Sequence, residues 1–237
     1  MTRTTLAITN REFKAYFNSP VAYFVISIFL VMVGIFFFVP FFSQDRVSMR
    51  SFFSLVPFLL VFFVPAITMR LIAEERRSGT IEMLITMPVR DVDVILGKFF
   101  AALSLLVVAL VLTLPYAITI SSFGNLDWGP VLGGYFGLFL MGSAYLALGL
   151  LASSWTENQI TAFVIALFLS MFFLMLDQFL VFLPSSMVGV FEYLSFGAHF
   201  RNAARGVIDS RDVIYFLSFI VLCLFLSFRS LETRRWR

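Results

Sequence analysis

The chain has 237 residues, of which 60% are hydrophobic and 13% are charged, whereas a soluble domain has about 45–50% apolar and about 25% charged residues. This composition excludes an ordinary soluble domain, because such a fold would leave large apolar patches facing water. The net charge of +3 is small and the charges cluster at the ends of apolar segments, so we expect no nucleic-acid partner. The sequence therefore predicts an all-α integral membrane protein.

The amino-terminal segment is too polar to cross a membrane, yet Leu6, Phe13, Tyr16 and Phe17 recur at near-helical spacing between polar side chains. This pattern is typical of a helix that lies in the headgroup plane of a membrane. The proline of Asn18-Ser19-Pro20 would end such a helix. We predict an interfacial helix over residues 1–19, with a frayed basic tail as the alternative.

Six apolar segments are long enough to cross the membrane as helices, allowing for tilt and for a short last segment. They cover residues 21–42, 52–72, 95–121, 131–153, 160–183 and 213–228. An even number of spans places both termini on the same side. With both termini in the cytoplasm, the inner segments hold 12 of the 17 Lys and Arg residues, as the positive-inside rule requires. We therefore expect residues 1–237 to form a single multi-pass transmembrane domain with cytoplasmic termini.

The segment between the second and third spans, residues 73–91, combines a charged helix end with signals for a second helix. Glu74–Arg77 would extend the second helix beyond the membrane, and Gly79 would end it in a left-handed conformation. Thr80 can cap a short helix that Pro88 would end, with Glu82 in its first turn.

This short helix would lie across the inner ends of two spans, and Asp91 could then cap the third span. Ile81, Leu84 and Ile85 would be available to fill a groove of a partner protein. The residues alone leave two interpretations open, a docking element and a folded loop without a partner.

The fourth span is rich in glycine and contains two pairs of small residues four positions apart. Gly133 pairs with Gly137, and Gly149 pairs with Ser153. Such pairs let helix backbones approach closely. They fit either a dimer interface or packing within one chain.

The segment after the fifth span, residues 184–212, is too apolar for a solvated loop and too short to span twice. We predict short helices that enter the outer leaflet and return. Asp177, at the end of the fifth span, is costly there without a partner; it fits either a pairing with Arg201 or Arg205 or a role in substrate passage. His199 fits an interfacial structural role better than a metal-binding or acid–base role.

Motifs for catalysis are missing. The only Gly-Lys pair, Gly97-Lys98, is followed by Phe99 and lacks the upstream glycine of a phosphate-binding loop. The chain has neither the His-Glu-x-x-His nor the Gly-x-Ser-x-Gly signature. We therefore expect no catalytic residues, no metal site and no cofactor in this chain, and an energy source outside it.

These features together resemble the membrane subunit of an ABC-2-type transporter. The stretch 74–84 (EERRSGTIEML), followed by Met87-Pro88-Val89, is similar to the coupling region of that family. Residues 199–218 (HFRNAARGVIDSRDVIYFLS) and 231–236 (LETRRW) are similar to one branch of it. That branch contains the gliding-motility-associated permeases and the permeases of nitrous oxide reductase maturation.

The resemblance implies a complex of two membrane subunits, identical or related, with two copies of a separate ATP-binding subunit that would bind ATP and Mg²⁺. It implies a place in the bacterial cytoplasmic (inner) membrane among lipids, and in this branch an auxiliary membrane-anchored subunit with an extracytoplasmic domain. In the family, the segment corresponding to 80–87 lies in a cleft of the ATPase. The implied ATPase-coupling residues are Glu74, Glu75, Arg76, Arg77, Gly79, Thr80, Ile81, Glu82, Leu84 and Pro88.

The resemblance leaves two functions to compare. The first is a permease that couples ATP hydrolysis in a separate subunit to substrate movement. The alternative is a membrane anchor that uses the ATPase for mechanical or assembly work in a cell-envelope complex, without a transported small molecule. A transporter requires a path for its substrate, whereas an anchor predicts no internal cavity.

Overall fold

The computed structural model describes residues 3–44, 48–79, 90–179 and 184–235. The chain is 86% helical and contains no strand among these residues. The described helices, numbered in chain order, are α1 (Arg3–Asn18), α2 (Pro20–Gln44), α3 (Arg50–Thr68), α4 (Ala73–Arg77), α5 (Asp91–Val111), α6 (Leu114–Ser121), α7 (Trp128–Trp155), α8 (Gln159–Phe179), α9 (Ser185–Leu194), α10 (Phe196–Ala204) and α11 (Ser210–Arg235).

Within the described ranges, six helical stretches are long and apolar enough to cross a membrane. They are Pro20–Val39, Arg50–Arg77, Asp91–Ser121, Trp128–Trp155, Gln159–Phe179 and Ser210–Glu232. Each overlaps one of the six predicted spans. The predicted all-α membrane fold is therefore confirmed.

The second and third spans are each interrupted near one end. Glu74–Arg77 extend the helical stretch of the second span, which runs from Arg50 to Arg77, as predicted. The helix is not continuous, however, because α3 ends at Thr68 and α4 begins after a turn over residues 69–72. In the third span, α5 ends at Val111 and α6 begins at Leu114, next to Pro115. Proline lacks the backbone N–H that a continuous helix needs.

The third span begins at Asp91, with Arg90 at the capping position and no side chain capping the helix. The prediction that Asp91 caps this helix is therefore wrong. Asp91 lies one position inside the helix, in the first turn, where a carboxylate interacts favourably with the helix dipole.

Helix α7 lies at the centre of the bundle and packs against α3, α5, α8, α10 and α11. Its apolar stretch is 89% buried, whereas that of α8 is 22% buried. A Cβ atom at Gly133 would lie 2.6 Å from the carbonyl oxygen of Ala203, and one at Gly137 would lie 2.7 Å from the Ala203 Cβ. These two glycines therefore serve packing of α10 onto α7 within one chain rather than a dimer interface.

The termini of the long helices define two ends of the bundle. At the basal end lie α1, α4, the beginning of α5, and the ends of α7 and α11. At the distal end lie the beginnings of α3 and α11, the end of α8, and the two short helices α9 and α10. Short helices are thus present in the predicted re-entrant segment, and a helix is present over the predicted interfacial segment; the membrane depth of both stays a prediction.

Candidate functional site

The basal end contains a network of hydrogen bonds that holds α4 against the membrane-spanning helices. Its first anchor is Ser153, which is buried in the last turns of α7. The Ser153 Oγ atom accepts hydrogen bonds from the backbone N–H groups of Ile72 (3.1 Å) and Ala73 (3.0 Å), and it donates to the Met69 carbonyl oxygen (3.2 Å). The first N–H groups of a helix have no partner within that helix. Ser153 therefore caps α4 from a different helix and stabilises the turn before it.

The second anchor is the carbonyl oxygen of Ser154, which follows directly in α7. It accepts a hydrogen bond from Arg76 Nη1 (2.5 Å) and another from Ser230 Oγ (3.2 Å). Carbonyl groups in the last turn of a helix lack intrahelical donors. Helices α4, α7 and α11 therefore meet at one acceptor atom.

The third anchor is Lys98 in α5, whose side chain is 2% exposed. Its Nζ atom lies 2.7 Å from Glu75 Oε1 in α4 and 3.7 Å from Glu12 Oε1 in α1. Glu12 also accepts a hydrogen bond from Arg11 (2.7 Å), and this bond raises the pKa of the Arg11 guanidinium. A buried ammonium group is tolerated when carboxylates pair with it, so Lys98 joins three helices.

Helix α1 lies against the first turns of α5. Thr5 Oγ1 donates a hydrogen bond to Asp93 Oδ1 (2.6 Å), and Thr9 Oγ1 donates to the Gly97 carbonyl oxygen (3.3 Å). A Cβ atom at Gly97 would lie 2.6 Å from Ile8 Cγ2, so the two backbones approach more closely than a larger residue allows. The amino-terminal helix is thus held in place by contacts along two turns.

The coupling residues named from the sequence fall into two groups in α4. Glu75 and Arg76 point into the network, whereas Glu74 and Arg77 are exposed. Gly79 ends the turn after α4 with a φ of +70°, which confirms its predicted left-handed conformation. Five further residues lie outside the described residues: Thr80, Ile81, Glu82, Leu84 and Pro88.

Sequence reasoning missed Ser153 and Lys98 as members of this site. The sequence could have predicted an ion-pair partner for Lys98, because an ionisable residue within an apolar span is costly unless it has a partner. The role of Ser153 could not have been predicted, since a serine is common among the small residues of a membrane helix. The sequence therefore predicted helical structure at Glu74–Arg77 without revealing that it is a separate helix or what holds it.

At the distal end, Arg201 Nη1 in α10 donates a hydrogen bond to Asp177 Oδ2 in α8 at 2.5 Å. The Asp177 side chain is 10% exposed and the Arg201 side chain is 53% exposed. The pairing of Asp177 with Arg201, one of the two expected from the sequence, is therefore present. Arg205, the other expected partner, is exposed and has no ion-pair partner among the described residues.

His199 is buried beside the Arg201–Asp177 pair and belongs to a separate hydrogen-bond network. Its Nδ1 atom lies 2.6 Å from Asp212 Oδ1, and its Nε2 atom lies 2.9 Å from the Tyr193 carbonyl oxygen. Asn202 donates to the second Asp212 oxygen (3.0 Å), and the His199 ring stacks on Tyr215 with 4.0 Å between centroids. Both ring nitrogens have protein partners, which supports the structural interpretation of His199.

Two cavities accompany these sites. A basal cavity of about 280 Å³ lies between α1, α2 and the α3–α4 turn, and Lys98 lines it. A distal cavity of about 810 Å³ lies between α3, α8 and α10, and Asp177, Arg201 and Arg205 line it. The larger cavity is thus at the end of the bundle opposite α4.

A family model described as "ABC-2 family transporter protein" matches residues 39–236. The match begins at the end of the first span and covers the other five spans, together with α4, Lys98, Ser153 and Ser154. A comparison with curated proteins gave no match.

Proposed function

Because it matches that model over most of its length, the chain belongs to the ABC-2 transporter family, and we propose that it is a permease subunit that couples ATP hydrolysis by a separate subunit to substrate movement. Membership makes it the multi-pass membrane component of an ABC transporter, which works with an ATP-binding subunit. The coupling itself is the proposal, and one observation carries it. Helix α4 is bonded directly to α5 and α7, and it is linked to α1 through Lys98 and to α11 through the Ser154 carbonyl group, while one of its faces stays exposed.

The exposed face of α4 is suited to a partner. Glu74 and Arg77 are one helical turn apart on this face, and side chains three positions apart on a helix are neighbours. Residues 80–89 follow directly after Gly79. We propose that the ATPase binds this face together with Ile81, Glu82 and Leu84, with Thr80 and Pro88 bounding the bound segment.

The inner face of α4 is suited to transmission. A displacement of α4 would act on α7 through Ser153 and Ser154, and on α5 through Lys98. Coupling between distant sites needs contiguous contacts whose arrangement both sites can bias. Helix α1 flanks the same network through Glu12, so we propose that it contributes to the contact with the ATPase.

The wider assembly follows from the same proposal. We propose two permease copies, identical or related, two ATP-binding subunits that hold ATP and Mg²⁺, and a place in the bacterial inner membrane with both termini cytoplasmic. The stretches 199–218 and 231–236 support the gliding-motility and nitrous-oxide-reductase-maturation branch, and with it an auxiliary subunit with an extracytoplasmic domain. Purification of the tagged chain in mild detergent tests this composition, because each proposed subunit should co-purify.

A specific observation separates transport from the alternative of a membrane anchor. An anchor predicts no internal cavity, whereas the described residues line a half-open cleft of about 810 Å³ at the distal end. This volume lies within the range of about 300–1,000 Å³ typical of ligand sites. The cavity therefore favours a permease with a substrate over a purely mechanical anchor.

Reversing the charge at Glu82 and introducing a charge at Ile81 both test the coupling proposal. In the reconstituted complex, Glu82→Arg and Ile81→Asp should each lower ATPase co-purification and permease-stimulated ATP hydrolysis at least about tenfold, equivalent to about 1.4 kcal/mol. Glu192→Arg is the matched control, since Glu192 is exposed at the distal end. If both coupling variants keep assembly and stimulated hydrolysis intact, the coupling assignment is wrong.

A further inference from the structure

The distal cavity has the dimensions of a cleft that one acyl chain could occupy. One wall is a single face of α3 that runs from Arg50 past Phe53, Ser54 and Pro57 to Phe58. At a rise of about 1.5 Å per residue, this wall is about 12 Å long. Half of a hydrocarbon core about 30 Å thick measures about 15 Å. The cleft is therefore long enough to extend through most of one leaflet.

The opposite wall is equally apolar below its rim. Met171, Leu174 and Met175 of α8 recur at helical spacing along the cleft, and Phe200 of α10 closes one side. Methionine side chains are flexible and adapt to ligands of irregular shape. The polar residues of these two helices lie at the top of the cleft, where α8 ends and α10 passes over it.

The rim of the cleft carries an excess of positive charge. Three arginines line it, Arg50, Arg201 and Arg205, against one carboxylate, Asp177. Asp177 pairs with Arg201. The guanidinium groups of Arg50 and Arg205 are exposed and have no ion-pair partner among the described residues. Arginine binds phosphate and carboxylate through two parallel hydrogen bonds, so the rim is suited to an anionic group.

We propose that this distal cleft binds an anionic membrane lipid. The phosphate of its head group contacts Arg50 and Arg205, and an acyl chain lies between the apolar walls of α3 and α8. The charge excess at the rim and the apolar depth below it match the two halves of such a molecule. Binding stands independently of the coupling role of α4; only the assignment of the lipid as transported substrate rests on the proposed function.

A second copy of the chain is a poorer occupant of the cleft. Two-fold symmetric contacts bring the same surface of both subunits together. A symmetric contact centred on the cleft would therefore place Arg50 and Arg205 of one copy, which have no ion-pair partner among the described residues, near those of the other. Like charges brought together in this way oppose association.

Native mass spectrometry of the purified full-length chain tests the proposal. The probes are dioleoylphosphatidylglycerol, dioleoylphosphatidylcholine and glycerol 3-phosphate, each titrated separately. We expect the anionic lipid to bind at least about tenfold more tightly than the zwitterionic lipid, equivalent to about 1.4 kcal/mol, and glycerol 3-phosphate to bind far more weakly than either. Equal affinities for the two lipids would overturn the proposal, and so would glycerol 3-phosphate binding as tightly as the anionic lipid.

Variants assign the binding to the cleft. The double variant Arg50→Gln/Arg205→Gln should lose about tenfold or more in affinity for the anionic lipid. Its affinity for the zwitterionic lipid should fall by less, because the choline cation of that head group already opposes the two arginines. Arg211→Gln, an exposed arginine at the same end but outside the cleft, should change neither. An unchanged helical circular dichroism spectrum and unchanged thermal unfolding show that the double variant is folded. Unchanged affinity of the double variant for the anionic lipid would show that the proposed site is wrong.

A bulky residue inside the cleft provides a second, independent test. Ser54 lines the cleft and its hydroxyl donates a hydrogen bond only to Ser51 within the same helix. Ser54→Trp should lower the affinity for both lipids by obstructing the cleft. If this variant instead abolishes self-association and leaves lipid binding intact, a second copy occupies the cleft and the lipid assignment is wrong. Glu82→Arg should bind lipid normally, so failure of the coupling proposal is distinguishable from failure of this one.

Discussion

The basal network and the rim of the distal cleft differ in how their charges are balanced. At the basal end, the buried Lys98 is paired with Glu75 and lies near Glu12, so its charge is balanced within the chain. At the rim of the distal cleft, one carboxylate lies among three arginines, and Arg50 and Arg205 have no ion-pair partner in the described part of the chain. A balanced, buried network suits the transmission of movement between helices, whereas an unbalanced, open rim suits the capture of a ligand.

The largest expected effect comes from breaking the basal charge balance. Glu75→Ala would leave the buried Lys98 ammonium with only Glu12 at 3.7 Å. Removing one partner of a buried ion pair costs about 3–5 kcal/mol, so we expect the free energy of unfolding to fall by about 3 kcal/mol. Thermal unfolding of the purified chain in detergent measures this.

Two further variants identify the cause. Lys98→Met added to Glu75→Ala should restore most of the lost stability, because no uncompensated buried charge remains. Glu74→Ala, one position away but exposed, should change stability by less than about 0.5 kcal/mol. Equal losses for Glu74→Ala and Glu75→Ala would show that the inward and outward faces of α4 do not differ as the structure indicates.

A smaller effect is expected from removing the cap of α4. Ser153→Ala leaves the N–H groups of Ile72 and Ala73 without their acceptor, and an unsatisfied buried donor costs about 1–3 kcal/mol. Because α4 would then be held less firmly to α7, permease-stimulated ATP hydrolysis should decrease while lipid binding at the distal cleft stays unchanged. Both are measured on the same reconstituted complex.

The neighbouring serine is the matched control for this change. The hydroxyl of Ser154 donates only to Leu151 within α7, so Ser154→Ala should leave stimulated hydrolysis close to that of the parent. If Ser153→Ala lowered lipid binding as well as stimulated hydrolysis, the basal network and the distal cleft would not act independently.

The smallest effect is expected at the distal ion pair. Arg201→Gln removes the partner of Asp177, but the arginine side chain is 53% exposed and solvent screens the pair. We expect a loss of about 1 kcal/mol in unfolding free energy, measured by thermal unfolding against Arg211→Gln, which should lose less than about 0.5 kcal/mol. A loss as large as that of Glu75→Ala would show that the distal ion pair contributes as much to stability as the buried basal one, contrary to this prediction.

Hydropathy was sufficient to locate the six spans, because length and apolar content are local properties of the sequence. It was insufficient for the network around α4. The break between α3 and α4 depends on Ser153, which lies 80 residues after Ala73 in the sequence. Likewise, Glu12, Glu75 and Lys98 come together only when three helices pack, and local spacing does not report on such contacts.

Local signals also differed in strength at helix ends. Gly79 adopts the predicted left-handed conformation, because glycine has no Cβ atom to oppose it. Asp91 was predicted at the capping position but is the first residue of α5. Aspartate is favourable both at a cap and in the first turn of a helix. The residue type therefore marked the beginning of α5 without specifying its first residue.

The shared acceptor at Ser154 limits how the basal end can move. A carbonyl oxygen has two lone pairs, and Arg76 and Ser230 each donate to this one. If α4 shifts relative to α7, the hydrogen bond from the charged Arg76 breaks, at a cost of about 1.5–3 kcal/mol. If α4 and α7 shift together, the bond from Ser230 links α11 to the movement. We therefore expect a threshold: displacements of α4 too small to break this bond move α7, and with it the carboxyl-terminal helix, whereas larger ones separate α4 from both.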